Sequence, residues 1–354
     1  MTSRETALAT MTERFPLVAE RVRQVFGLRL PRHVAVFAAL WASDSCAVGE
    51  LTHSPWGVTD YFADGGLDLI GRDGLDERLH ARFRCDPAEF VTVMNGGTDG
   101  LHYGLWYDDP AELPTVIVHN YARDSAETWV SGPDSLLGVL RREVADFLAD
   151  YGDEEEDARR VDPLLEALDW YAAADEEALR RDGPPRWAGT PRAYTAVSLF
   201  PILPASAGDP RLTESDMRLT TYRDDPAGTG AWIADAEREL AAGRPALALA
   251  IGGELHWFDH DDYRTAGREL LVGAYRALGR DALAEIAELH AGHRDLRSVQ
   301  ILAPGPRPAD TPGPRPADAS GPRPADTPGP RPADASGPRQ ADASGLRPAD
   351  PGRP

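Results

Sequence analysis

Residues 79–124 decide the fold and read LHARFRCDPAEFVTVMNGGTDGLHYGLWYDDPAELPTVIVHNYARD. They contain three runs rich in β-branched and aromatic residues, at 90–94, 101–107 and 115–119, with short loops between them. The glycines after Asn95 tolerate the positive φ of a tight turn. Short loops join neighbouring antiparallel strands, so the stretch predicts an antiparallel meander. The middle run carries bulky residues on both of its faces, which indicates a strand that is covered on both sides.

Helical periodicity is typical of much of the remaining sequence. Helices are predicted at 13–26, 31–41, 133–151, 162–181, 213–222, 231–242, 263–278 and 281–290, with Thr213 as the N-cap of the fifth. A further β-rich run covers 194–203. The runs 246–251 and 254–258 flank Gly252-Gly253, which favours a hairpin, although the composition is also compatible with a helix. The pattern predicts an α+β fold, in which an antiparallel meander flanked by helices is followed by a second α+β half.

Changes in composition along the chain predict four segments. We expect a flexible leader at 1–12, an N-terminal α+β half at 13–151, a helix-rich α+β half at 152–302, and a tail at 303–354. The tail repeats an eight-residue unit of the type GPRPADTP or GPRPADAS six times. Because this unit has almost no apolar residues and its prolines oppose both helix and sheet, we expect the tail to be disordered.

The chain is acidic, with a formal net charge of -21 over 354 residues, and all 37 of its basic residues are arginine. Phosphate contacts need clustered cations, so this charge argues against binding to nucleic acid or to an anionic membrane. It suits a protein that meets a basic partner. The use of arginine alone, together with abundant Ala, Gly and Pro, indicates a coding bias and favours a bacterial source.

Composition and motifs predict no cofactor, no metal and no enzymatic activity of the chain alone. Cys46 and Cys85 follow no signal peptide, and no apolar run approaches the roughly 18 residues of a membrane span, so we expect a cytoplasmic protein with reduced thiols. His256 and His260 come nearest to the spacing of a metal-ligand pair. The sequence contains no GxSxG, GxxxxGK[ST] or HExxH motif.

Several motifs resemble those of the histone PARylation factor family, whose members partner poly(ADP-ribose) polymerases. The motifs are Asp86-Pro87-x-Glu89-Phe90, His102-x-Gly104, Asp109-Pro110-x-Glu112-x-Pro114 and Ala274-Tyr275 followed by Ala284-Glu285-Ile286 and His290. With gaps, the likeness spans roughly residues 26–293. It implies the family's fold, an accessory role in ADP-ribosylation and the binding of poly(ADP-ribose). Within the sheet, we expect His102 to have a structural, hydrogen-bonded place.

The resemblance also implies site residues. In the family a carboxylate completes the active site of the polymerase as a general base for a serine hydroxyl, and a nearby arginine docks the partner. Arg211 and Asp216, in PRLTESD, fall where the docking segment is expected. The acidic pair of the family aligns without gaps to two alanines here, so the carboxylate is instead sought at Glu239, Glu237 or Glu254.

Two other functions are compatible with the sequence. The segment from Leu30-Pro31 to Leu40 resembles the start of the SMI1/KNR4 binding domains, which predicts an acidic binding module such as a toxin-immunity protein. A stand-alone enzyme is the third candidate, and it lacks a visible set of nucleophile, base and orienting group.

Overall fold

The computed structural model describes residues 2–51, 53–151, 155–186, 194–195, 198–201, 209–212 and 214–305. The helices of this part of the chain are α1 (Ser3–Phe26), α2 (His33–Gly49), α3 (Leu136–Tyr151), α4 (Glu155–Asp182), α5 (Ser215–Asp224), α6 (Pro226–Ala241), α7 (Ala246–Phe258), α8 (Arg264–Ala277) and α9 (Asp281–Ala291). Its strands are β1 (Ser54–Pro55), β2 (Leu69–Gly71), β3 (Phe90–Asn95), β4 (Leu101–Trp106), β5 (Val116–Tyr121), β6 (Thr128–Val130), β7 (Tyr194–Thr195), β8 (Ser198–Pro201) and β9 (Leu302–Pro304). The predicted α+β class is confirmed.

The predicted meander forms the centre of a five-stranded antiparallel sheet with the strand order β1-β3-β4-β5-β6. Phe90 pairs with Trp106 and Asn95 pairs with His102, so the two motifs of the opening stretch lie side by side. A bulge between Thr92 and Met94 adds one residue to β3. Two further antiparallel pairs, β2 with β9 and β7 with β8, lie outside this sheet.

All six residues of β4 are buried, as the pattern on its two faces predicts. Leu101, Tyr103 and Leu105 belong to the main core, which the helices complete. Trp106 belongs to a smaller cluster with Phe90 and Val118. Gly104 makes room for this cluster, because a Cβ atom there would lie 2.3 Å from a ring carbon of Phe90.

Helix α1 begins ten residues earlier than predicted, so the expected start at residue 13 is wrong. Thr2 and Glu5 form a capping box, in which each side chain accepts a hydrogen bond from the backbone N–H of the other residue. The Arg4 side chain then binds Asp44 at 2.9 Å. Local capping, the ion pairs of Arg4 with Asp44 and Glu166, and the packing of Leu8 and Met11 with the main core therefore order this segment. The helix ends at Gly27, as predicted, with the residue in the left-handed region at φ 69°.

The hairpin predicted around Gly252-Gly253 is wrong, because residues 246–258 form the single helix α7. Gly252 serves packing rather than a turn. A Cβ atom at Gly252 would lie 2.9 Å from the backbone nitrogen of Leu271 and 3.1 Å from the carbonyl oxygen of Gly267, both in α8. Small residues at such a crossing let two helix backbones approach closely.

Helices α3, α5, α8 and α9 lie within three residues of their predicted bounds, whereas α2 ends eight residues later, α4 begins seven residues earlier and α6 begins five residues earlier than predicted. The described residues up to Gly305 form one compact unit. Helices from both sides of residue 151 contribute to the main core. The division into two halves at that point stays a prediction. The N-cap predicted at Thr213, parts of the β-rich run at 194–203, and residues 306–354 of the repeat tail lie outside the described residues.

Candidate functional site

Arg211 lies in a single 3₁₀ turn, Pro210–Leu212, that leads into α5. Its guanidinium holds Asp209 with two parallel hydrogen bonds, Nε to Oδ1 at 3.0 Å and Nη2 to Oδ2 at 2.6 Å. This fork is the strong geometry for an arginine and a carboxylate, and it holds the pKa of Asp209 below its ordinary value. Leu212 is buried and anchors the turn. The Arg211 side chain remains 35% exposed.

Glu239, on α6, faces Arg211 across a shallow surface. Its Oε1 lies 3.6 Å from Arg211 Nη1, and its Oε2 accepts a hydrogen bond of 2.5 Å from Arg244 Nε. The contact with Arg244, followed by that with Arg211, holds the pKa of Glu239 below its ordinary value. The carboxylate is therefore ionised at neutral pH, and with 21% of its side chain exposed it remains open to solvent. The structure thus brings two of the sequence-predicted residues together.

Glu254 has a different environment. The side chain is completely buried in α7, and both of its oxygens accept hydrogen bonds from Arg218 of α5. Tyr222, one turn further along α5, donates to Oε2 at 2.8 Å. A carboxylate that is buried and bonded in this way has no path to an acceptor on another molecule. We therefore assign Glu254 to the support of the site rather than to its chemistry.

Asp216 and Glu237 are both exposed, and they point elsewhere. Asp216 lies in the first turn of α5, where a negative charge complements the helix dipole. Glu237 precedes Glu239 by two residues on α6, and helix geometry turns residues at that spacing to different faces. Among the three carboxylates predicted as the general base, Glu239 is thus the one beside Arg211.

Three residues of this site were missed from the sequence. Asp209 and Arg244 look like ordinary surface charges when only their neighbours in the chain are known. The sequence does contain an indication for Arg218. Arg218 and Tyr222 lie four residues apart and therefore share a face of α5. A helix that buries an arginine needs a buried acid opposite to it.

The polar residues of the opening stretch are structural. His102 is buried, with Nε2 3.2 Å from Asp86 Oδ2 and Nδ1 2.8 Å from the Gly100 carbonyl oxygen. Asp86 also caps the preceding turn by accepting a bond from the Phe83 N–H. The expected structural role of His102 agrees with this placement. His256 points inward and contacts the Asp86 carbonyl oxygen through Nε2 at 3.0 Å.

In the part of the chain that the structure describes, no group of three His, Cys, Asp or Glu side chains is arranged to hold a metal ion. Among the same residues, no helix is both long and apolar enough to cross a membrane.

Comparison with known proteins shows which protein family this chain resembles. Residues 68–179 match the model of a family described as Histone PARylation factor 1, and this range contains the whole stretch that forms the meander. The resemblance indicated by the motifs is therefore confirmed: this part of the chain is similar to the histone PARylation factor family. The matched range ends before Arg211 and Glu239, so it does not extend to the site.

Two curated relatives carry the same name. Histone PARylation factor 1 of Bos taurus is 24% identical over 250 residues, which cover 65% of this chain and 71% of the relative. Histone PARylation factor 1 of Mus musculus is 24% identical over 252 residues, with the same coverage of each chain.

Proposed function

We propose that this protein is an accessory factor of ADP-ribosylation that docks on the catalytic domain of an ADP-ribosyltransferase. The observation that carries the proposal is the placement of Arg211 beside Glu239 on an exposed surface, in a chain similar to the histone PARylation factors. The names of the relatives support an accessory role, and the surface supplies an arginine for docking and a carboxylate for catalysis.

Arg211 is suited to docking because its guanidinium presents donors in a rigid fork that matches a carboxylate of the partner. Part of that fork is already engaged by Asp209, which fixes its direction before the partner arrives. A preorganised side chain loses less conformational entropy on binding than a mobile one.

Glu239 is suited to act as a general base because it is ionised and partly open. A serine hydroxyl is a weak nucleophile until a positioned base takes its proton. In the free protein the two guanidinium groups of Arg211 and Arg244 make the carboxylate a weak base. A carboxylate of the partner that binds Arg211 in place would neutralise much of this positive charge and raise the basicity of Glu239. Docking and activation are thereby coupled in this proposal.

The test uses the full-length protein and an ADP-ribosyltransferase catalytic domain from the same cell. Binding is measured by isothermal titration calorimetry, and transfer is measured with NAD and a serine-containing peptide. We expect Arg211→Ala to weaken binding by at least about tenfold, because it removes a charged anchor. We expect Glu239→Gln to retain binding and to lower transfer to serine about 100-fold or more, the usual contribution of a general base.

Matched controls are available at exposed positions outside the contact between Arg211 and Glu239. Glu237→Gln removes an exposed carboxylate from the same helix, and Arg268→Ala removes an exposed arginine from α8. Both are expected to leave binding and transfer unchanged. If the wild-type protein neither binds the transferase nor alters its products, the proposed function is wrong. Binding to a basic toxin in that case would favour the immunity-protein alternative.

A further inference from the structure

The ion pair between Arg218 and Glu254 is the most deeply buried pair of opposite charges near the site, and both side chains are 0% exposed. Nε of Arg218 donates to Oε2 at 2.8 Å, and Nη2 donates to Oε1, so the pair is bidentate. The face of the guanidinium lies over the ring of Trp232 on α6, with its central carbon 5.5 Å from the ring centroid. The pair therefore connects α5, α6 and α7.

Stability alone is a poor reason for such a pair. Removing two charges from water costs about as much as their attraction returns, and well-packed apolar residues in the same place are often equally stable or more so. Burial by itself lowers the pKa of Arg218 and raises that of Glu254, and their contact opposes both effects. The net pKa of Arg218 lies above its ordinary value, so the guanidinium keeps its charge.

The remaining donor of this guanidinium indicates what the pair does. Nη1 of Arg218 donates a hydrogen bond to the backbone carbonyl oxygen of Arg211. Glu254 and Tyr222 fix the guanidinium from the other side, so the carbonyl of the docking residue is held by a side chain that is itself locked in place. Leu212 anchors the end of the turn, and Asp209 accepts hydrogen bonds from the Arg211 backbone N–H at 3.0 Å and from its guanidinium. The contact with Arg218 adds the restraint on the Arg211 carbonyl group.

We propose that Arg218, oriented by Glu254 and Tyr222, is a positioning residue that sets the backbone of Arg211 and thereby holds its guanidinium opposite Glu239. The inference rests on the proposed function for its consequence in binding. The structural part of the inference, the restraint of the 209–212 turn, does not depend on the proposed function and is measured separately.

The decisive variant replaces both charges by apolar residues of similar size, Arg218→Met together with Glu254→Leu. This double substitution leaves no uncompensated buried charge, so the fold is expected to survive with a melting temperature near that of the wild type. It also removes the hydrogen bond to the Arg211 carbonyl. The matched control is Arg276→Met together with Glu288→Leu, which removes an exposed pair between α8 and α9 that is 2.9 Å apart.

Two readouts separate positioning from simple stability. The first is hydrogen–deuterium exchange of the backbone amides of Asp209, Arg211 and Leu212, compared with the amides of α7. The second is the dissociation constant for the transferase catalytic domain. We expect exchange in the turn to rise about tenfold with α7 unchanged, and binding to weaken by about the same factor, because a hydrogen bond to a charged group is worth roughly one decade in an equilibrium. The control pair is expected to change neither.

Each outcome has a meaning. If the double variant folds and the turn exchanges as slowly as in the wild type, the positioning role is refuted, whatever the transferase does. If the turn loosens and binding to the transferase is unchanged, the link from the turn to docking is refuted. If the wild type does not bind the transferase at all, the proposed function fails, and the exchange data still decide the structural part of the inference. Tyr222→Phe provides an intermediate case, because it keeps the ion pair and removes one of its supports, so a smaller increase in exchange is expected.

Discussion

Glu89 provides a sharp test of how this fold treats a buried acid. The side chain is 0% exposed beneath the sheet, near the Tyr275 hydroxyl and the Arg280 guanidinium. Burial raises the pKa of Glu89 to about 7, although Tyr275 and Arg280 partly oppose this shift. The perturbation is Glu89→Gln, which keeps the size and shape of the side chain and removes its titration.

The sign of the pH effect follows from proton binding. In the folded protein Glu89 keeps its proton up to about pH 7, whereas in the unfolded chain it releases the proton near its ordinary value of 4.5. Between these values the folded state binds more protons, so the free energy of unfolding falls as the pH rises. The contribution of protonated Glu89 to the free energy of unfolding is fully present below pH 4.5 and is lost as the pH rises through 7.

The magnitude follows from the same two values. Each factor of ten in proton affinity corresponds to about 1.4 kcal/mol, so the interval from 4.5 to 7 corresponds to about 3 kcal/mol. The Gln variant lacks this loss. We therefore expect the free energy of unfolding of the variant, minus that of the wild type, to increase by about 3 kcal/mol between pH 5 and pH 8.

Urea denaturation at four pH values from 5 to 8 measures this difference. Other buried groups also make the stability depend on pH in this range, among them Asp175, whose pKa burial raises to about 6, and His33, whose pKa burial lowers from 6.5 to about 4 in the folded protein. They are present in both proteins and cancel in the comparison. Glu269→Gln, which removes an exposed carboxylate, is the control and should give a flat difference. Parallel stability curves for the Glu89 variant and the wild type would refute the reasoning.

Two further predictions concern packing and thiol reactivity. Gly104→Ala should lower the free energy of unfolding by about 1–3 kcal/mol in a thermal melt, because its Cβ atom meets the Phe90 ring, whereas Gly230→Ala, at a helical position with open space, should raise it by up to about 1 kcal/mol. An equal effect of the two substitutions would contradict the packing argument. Iodoacetamide at pH 7.5 should label exposed Cys46 well before Cys85, whose pKa burial raises to about 11, and mass spectrometry of the digested protein would show the reverse order if this is wrong.

The parts of the fold that sequence reasoning predicted are those that local patterns determine. The meander follows from three short β-rich runs and a glycine turn, and Gly27 ends α1 because its φ of 69° suits glycine. The errors have tertiary causes. Gly252 was interpreted as a turn residue because glycine is common in turns, yet its absent side chain accommodates α8. The predicted start of α1 is too late because the first turn is polar, and a cap rather than apolar periodicity marks where the helix begins.

The sequence predicted the candidate residues of the site but not which of them lie together. Motif likeness located Arg211, and counting with a gap reached Glu239, but no sequence pattern separates Glu239 from Glu237 or Glu254. All three are glutamates on helices. Tertiary packing gives them different surroundings. Glu237 is exposed without facing Arg211, Glu254 is buried against Arg218, and Glu239 lies 3.6 Å from Arg211.

The general base that we propose stands at a different position in the sequence from the one that the resemblance implies. A general base needs a position relative to the docking arginine rather than a position in the sequence. In this chain Arg218 of α5 holds the Arg211 backbone, and Glu239, in the last turn of α6, lies 3.6 Å from the Arg211 guanidinium. The alanines at 241 and 242 are exposed at the end of that helix. On this argument the distance of a carboxylate from Arg211 determines whether it can act as the general base. Exchanging Glu239 and Ala242 in one variant should therefore abolish transfer to serine while leaving docking intact.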